Sequence, residues 1–261
     1  MKDNNWIGRE ARTSLAEAHT AYMDEKYSHL TEQSIKRTTE YSAGDLDDPE
    51  GDIFEVHGHL VATDTVTAIF SFASGKTAAL NFASHKNPGG MFIKGSKAQE
   101  ECLCHESNLY NILRTFENTY YTYNRQHLNR ALYIDRALYT PDVLFERNGA
   151  SIQVDIITCA APNKTAAQKY QNVTDEENSE VLRKRIKFVL DIAYIEGVET
   201  LILGAYGCGV FGQDASEVAQ IFKELLPLYP FKQVIFAIPQ GNGNFEQFKE
   251  VWIDKEKKEN E

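Results

Sequence analysis

Residues 77–117 read TAALNFASHKNPGGMFIKGSKAQEECLCHESNLYNILRTFE. The segment opens on Thr77–Ala83, a short continuous apolar run, which predicts a buried strand and not an amphipathic helix. A polar loop follows from Ser84 to Gly95, with Asn87-Pro88-Gly89-Gly90 near its centre. A helix is expected next, capped by Ser96, with Gln99 three residues on as the return partner of a capping box. Glu100 and Glu101 lie at its start. Strand, glycine loop and carboxylate-bearing helix start together place a candidate site at the carboxyl end of a sheet, where open α/β folds bind ligands. Each part alone has an ordinary reading. Pro-Gly-Gly makes a turn, and glutamates in a first helical turn meet the positive end of the helix dipole.

Working outward from this segment, Ser151–Thr158 alternates and then turns apolar, which predicts a strand entering the sheet interior. It leads into Cys159-Ala160-Ala161-Pro162-Asn163, a second loop at a strand end. Thr174 and Glu177 predict a capping box opening a helix to about Gly197. Val181, Leu182, Ile186, Val189, Leu190 and Ala193 give that helix its apolar stripe. Thr200–Leu203 predicts another buried strand, followed by GAYGCGVFG at 204–212 and a helix cap at Asp214. Glycines this dense let backbone N–H groups approach a ligand, and the helix start behind them favours phosphate. Residues 233–238 predict a last strand, Phe245–Ile253 a terminal helix, and the residues after Asp254 a charged tail.

On the amino-terminal side, residues 7–40 read as helix, with Ile7, Ala11, Leu15, Ala18 and Tyr22 as the apolar face. Gly44–Asp52 is an acidic linker and Ile53–Val56 a short strand. Asp64 caps a helix running to Ser74. Tyr120–Asn129 is expected to be irregular, its tyrosines either exposed or able to stack on a base.

Composition bounds the function. The 261 residues carry a net charge of −11 and show no basic face, which works against a broad grip on a polyanion. Sequence-specific nucleic-acid binding is not expected, and no apolar run suits a membrane span. Cys102, Cys104, Cys159 and Cys208 make neither a disulfide framework nor a zinc site, so a reducing cytoplasm is the expected setting.

The string NFASHKNPGGMFIKGSKAQEE at 81–101 resembles the signature of bacterial-type poly(ADP-ribose) glycohydrolases, which are macrodomain proteins. That pattern is three glycines, a spacer and Gln-Glu-Glu. Gly89, Gly90, the seven residues after Met91, and Gln99-Glu100-Glu101 match it, and Met91 stands where the family has its third glycine. GCGVFG at 207–212 resembles the second ligand loop of macrodomains. The resemblance spans roughly residues 50–240. It implies an α/β fold, a macrodomain-like mixed sheet sandwiched by helices. Residues 1–50 would be an N-terminal helical accessory region and 51–261 one compact catalytic unit.

The resemblance further implies hydrolysis of an O-glycosidic bond in poly(ADP-ribose), releasing ADP-ribose. Glu101 would protonate the leaving hydroxyl and then activate water. Glu100 would hold the distal ribose, with Gln99 positioning the first turn or touching the ligand. Ser84 and Asn87 would contact the distal ribose, and Gly89 and Gly90 would border the ligand. The amides of Gly207, Cys208, Gly209 and Val210 would hold the diphosphate while Phe211 packs on the nucleotide. Asn81 either contacts the ligand or buttresses the loop, and Asp64 either contacts adenine or only caps its helix. Glycosidases usually place two carboxylates across a sugar. Neighbours on a helix diverge by about 100°, so Glu100 and Glu101 are expected to do different jobs. No cofactor and no metal ligand cluster are expected. The partners implied are ADP-ribose, its polymer and ADP-ribosylated proteins. Three alternatives stand beside this reading: an ADP-ribose-binding macrodomain without turnover, a hydrolase of mono-ADP-ribosylated targets, and an unrelated nucleotide-binding α/β protein.

Overall fold

The computed structural model describes residues 8–44, 46, 54 and 58–252. All but Phe54 of the expected strand at Ile53–Val56, most of the 44–52 linker and the tail after Asp254 lie outside the described residues. Seven strands, β1 (Thr39–Ser42), β2 (Gly58–Val61), β3 (Thr77–Phe82), β4 (Arg136–Arg147), β5 (Ala150–Cys159), β6 (Thr200–Leu203) and β7 (Gln233–Ala237), form one mixed sheet. Their order across it is β1-β4-β5-β3-β6-β7-β2. The five strands β5, β3, β6, β7 and β2 run parallel, whereas β4 is antiparallel to both β5 and β1.

The parallel strands are apolar on both faces because both are covered. In β6, Leu201 and Leu203 face one layer and Ile202 the other; in β7, Val234 and Phe236 oppose Ile235 and Ala237. That alternation is the two-residue period of a strand, filled with apolar side chains on each side. Each fully buried Leu, Ile or Phe contributes about 1.5–3 kcal/mol. One layer is built from α7 (Asp175–Ile195), α8 (Ala215–Leu225) and α9 (Asn244–Trp252). The other holds α1 (Arg9–Arg37), α2 (Thr65–Phe72), α3 (Gln99–His105) and α4 (Leu109–Leu113). Two further short helices are α5 (Thr122–Gln126) and α6 (Lys164–Gln171).

Several expectations change. The helix at the amino end stops at Arg37, and Thr39–Ser42 joins the sheet as its edge strand, paired with residues 136–139. The expected apolar face of α1 points outward: Leu15 is 46% exposed and Tyr22 39%, and the buried positions are Ala16, Met23, Thr31 and Ser34. Polar contacts seat this helix instead. Asn111 Nδ2 donates to Thr20 O (2.9 Å), Asn108 Nδ2 to Thr31 Oγ1 (3.0 Å) and Ser34 Oγ to Asp142 O (3.1 Å). Tyr120 and Tyr121, expected in an irregular surface stretch, are buried in a single π-type turn leading into α5. The Tyr120 hydroxyl donates to Arg136 O at 3.0 Å, so neither ring is available to a base.

Candidate active site

Loops leaving the carboxyl ends of β2, β3, β5, β6 and β7 surround one cavity of about 790 Å³, within the range of small-molecule sites. Its wall includes Ser84, Gly90, Met91, Glu100 and Glu101 on one side and Gly207, Gly209, Val210 and Phe211 on the other. The two glycine loops, more than one hundred residues apart in the chain, therefore meet over a shared space.

Helix α3 begins two residues later than the capping box at Ser96 predicts. Ala98 is its N-cap, and Glu101, not Gln99, returns to it: Ala98 N–H donates to Glu101 Oε2 at 2.7 Å. Met91 N–H donates to the other oxygen, Oε1, at 2.8 Å. Backbone amides thus hold both oxygens of this carboxyl from the two ends of the 91–98 loop. Gln99 borders the cavity and is bonded to the scaffold behind it. Its carbonyl oxygen accepts from Phe82 N–H (2.8 Å) and its amide donates to Leu80 O (2.8 Å), which ties the start of α3 to the end of β3.

Glu100 is held differently. Its Oε2 accepts from Ser84 N–H at 2.7 Å and its Oε1 from Asn81 Nδ2 at 3.2 Å. Asn81 is fully buried and also reaches Thr158 Oγ1, the buttressing geometry. Burial raises the Glu100 carboxyl to about 8, against the opposing hydrogen bonds from Ser84 and Asn81. The helical offset does not send the two glutamates apart: both reach toward Gly90. A Cβ on Gly90 would lie 2.5 Å from Glu101 Oε1 and 2.9 Å from Glu100 Oε2, and its φ of +62° suits glycine.

Across the cavity, Val210 is 84% exposed at the loop tip. Phe211 packs edge-on to Tyr133, with centroids 5.9 Å apart. Among the described residues, the N–H groups of Gly207, Gly209, Val210 and Phe211 have no protein acceptor, whereas Cys208 N–H closes a turn onto Ala205 O at 3.2 Å. Oriented amides without acceptors make an anion cradle.

Of the remaining residues, Ser84 and Asp64 border the cavity, and Asn87, Gly89 and Asn163 lie outside its wall. Asn87 is exposed outside the cavity, its carbonyl accepting from Gly90 N–H at 3.0 Å. Gly89 is packed against Tyr110 and Cys104. The Ser84 hydroxyl accepts from Asn87 N–H (3.2 Å) and shapes the turn. Asp64 borders the cavity while capping α2 through Thr67 N–H at 2.9 Å. Asn163 caps α6 by accepting from Ala166 N–H at 3.0 Å. Ile238, Pro239, Asn242 and Asn244 complete the wall beyond β7, and sequence reasoning overlooked them. The turn-rich QGNG at 240–243, directly after a strand, was the available signal.

Cysteine chemistry has little place here. Burial pushes the Cys102 thiol up to about 11 and Cys208 up to about 12, so neither supplies a thiolate near neutral pH. Among the described residues, no three His, Cys, Asp or Glu side chains are grouped to hold a metal ion. Among those residues too, no helix is long and apolar enough to cross a membrane.

The family described as "Microbial-type PARG, catalytic domain" matches residues 8–148. Poly(ADP-ribose) glycohydrolase from Thermomonospora curvata is similar over 94% of this chain and 100% of its own, at 30% identity and a TM-score of 0.82. The same enzyme bound to the inhibitor ADP-HPD gives 31% identity and a TM-score of 0.79 over the same shares of the two chains. Poly(ADP-ribose) glycohydrolase from Deinococcus radiodurans in complex with ADP-ribose is similar over 85% of this chain and 97% of its own, at 32% identity and a TM-score of 0.76. No curated protein sequence matches the chain.

Proposed function

Because this chain belongs to the microbial-type poly(ADP-ribose) glycohydrolase family and is a glycoside hydrolase of that polymer, we propose that Glu101 is its general acid and base. The observation that carries this assignment is the double backbone grip on Glu101 at the edge of a cavity it shares with Phe211. An ADP-ribose unit seated there places its diphosphate on the free amides of Gly207, Gly209, Val210 and Phe211 and its distal ribose against Gly90 and the two glutamates. Glu101 gives its proton to the departing ribose hydroxyl oxygen as the anomeric C–O bond breaks. The positive charge that develops on the sugar is spread in an oxocarbenium-like state. Glu101 then takes a proton from the water that adds to the anomeric carbon, and returns to its starting form.

Glu100 plays a different part. A carboxyl raised to about 8 is largely neutral at pH 7, so it both donates to and accepts from ribose hydroxyls. The two carboxyls differ in their surroundings, Glu100 buried on Ser84 and Asn81 and Glu101 held by the amides of Met91 and Ala98, which suits them to different parts.

Met91, at the place of the family's third glycine, has φ −113°, a backbone any residue adopts. Its N–H serves Glu101 regardless of side chain, and its thioether adds an apolar element to the wall. The same reading extends to macrodomain classification, to ADP-ribosylated proteins as carriers of the polymer, and to a cytoplasmic setting. Free thiols at all four cysteines suit a reducing compartment.

The test is release of ADP-ribose from poly(ADP-ribose) by wild type and Glu101→Gln, with calorimetry of ADP-ribose binding to both. The variant should bind ADP-ribose and lose at least about 10²-fold in kcat. Turnover that survives the substitution would remove Glu101 from the chemistry.

A further inference from the structure

The loop that grips Glu101 is itself gripped from behind by the first turn of α1. Residues 92–94 form a 3-10 turn between the two amides that hold the carboxyl, Met91 at one end and Ala98 at the other. The carbonyls at the far side of that turn each accept from an arginine. Arg9 Nε donates to Lys94 O at 2.8 Å and Arg12 Nε to Gly95 O at 2.6 Å. Gly95 has φ +71°, and a Cβ there would lie 2.4 Å from Arg9 O, so helix and loop meet backbone to backbone. Phe92, fully buried, lies edge-on to His19 of α1 at 6.5 Å and to His105 of α3 at 4.6 Å. Neither arginine borders the cavity.

We propose that Arg9 and Arg12 are positioning residues for the hydrolysis, acting on Glu101 through the loop they clamp. The inference rests on the reading of Glu101 as acid and base. Two amides fix a carboxyl only while the ends of their loop stay fixed. A surface loop is ordinarily the most mobile part of a fold. Charged donors on two successive carbonyls give stronger anchorage than neutral ones. A displacement of about 1 Å at a reacting group costs on the order of 10²-fold in rate. The amino-terminal helix thereby acts in catalysis without touching the substrate.

The experiment compares wild type, the double variant Arg9→Ala/Arg12→Ala, Gly95→Ala and Ser34→Ala in the full chain. For each, kcat on poly(ADP-ribose) is set beside the Kd for ADP-ribose. The double variant should lose at least about tenfold in kcat while its Kd moves by less than about threefold. Gly95→Ala, which attacks the clamp from the loop side, should give the same selective loss. Arg9→Ala/Arg12→Lys, which keeps one cationic donor, should recover part of the rate. Ser34→Ala loosens the far end of α1 and should leave kcat within about twofold of wild type, being remote from the loop. Should the double variant not fold, Arg12→Ala alone carries the comparison. An unchanged kcat in the clamp variants overturns the proposal, as does a Kd that weakens in step with kcat. Glu101→Gln in the same assay separates the two ideas. If it remains active, the acid–base assignment fails first; if it is inactive while the clamp variants turn over normally, only the clamp fails.

Discussion

At the scale of single residues, the site is set by which groups reach which backbone amides. Gly90 stands where both glutamates converge, and its positive φ adds backbone strain to any replacement. Gly90→Ala should cost about 1–3 kcal/mol of stability from strain alone, and in addition displace Glu101 enough to lower kcat by about 10²-fold. Chemical denaturation and the polymer assay check the two halves separately. This glycine, like Glu100 and Glu101, was legible in the sequence because its motif has a fixed spacing. The partner of each carboxyl was not. The helix start moved from Ser96 to Ala98, whose methyl group accepts nothing, so of the capping box only the return bond from Ala98 N–H to Glu101 is made; helix starts are uncertain by one or two residues, and a side chain's partner depends on that register. Gln99 borders the cavity, and its bonds to Phe82 and Leu80 suit the first of its two expected roles, positioning the first turn.

At the scale of elements, strands with uninterrupted apolar runs, such as β3, β6 and β7, were readable, as was the reciprocal cap of α7 between Thr174 and Glu177. The twelve-residue strand β4 escaped notice because Pro141 and Asp142 interrupt its alternation. There the pairing with β5 shifts between Thr140 and Val143, and Asp142 adopts φ +53°. A bulge accommodates what would otherwise end a strand. The tyrosines at 120 and 121 escaped as well, since polar neighbours hide a burial that only tertiary packing creates. At α2, Asp64→Ala should lower stability by about 1 kcal/mol through the lost cap. It also removes the partner of Arg147 at 3.4 Å, a half-exposed pair of small worth. A thermal melt of the variant checks this, and a shift larger than that of other cap removals would point to a wider role for the Asp64–Arg147–Glu106 group.

At the scale of the molecule, buried titratable groups set how stability depends on pH. Burial raises Glu100 from 4.5 to about 8, so the folded chain keeps a proton that the unfolded chain has released. Its contribution is complete below pH 4.5 and is lost as pH climbs through 8. Burial lowers His85 and His105 from 6.5 to about 4, with Arg185 near the former and His19 near the latter adding to the effect. Their contribution is complete above pH 6.5 and is lost as pH falls through 4. Two histidines outweigh one glutamate below pH 6.5, so the melting temperature should peak near that value and fall on both sides. Glu100→Gln should flatten the alkaline fall, an effect on the order of a few kcal/mol. Melting curves across the range check it, and an alkaline limb unchanged in the variant would assign the loss to other groups. The meeting of the two glycine loops was foreseeable from strand-end motifs, and the antiparallel edge formed by β4 and β1 was not. The wall beyond β7 was not, having only turn residues to mark it. One consequence of the short edge strand β1 remains. It lies along the open rim of β4, pairing with residues 136–139. A protein lacking its first helix and strand would present that rim as a template for its own copies. Such a shortened chain should self-associate as its concentration rises, and light scattering would register this as growing particles in place of a monomer.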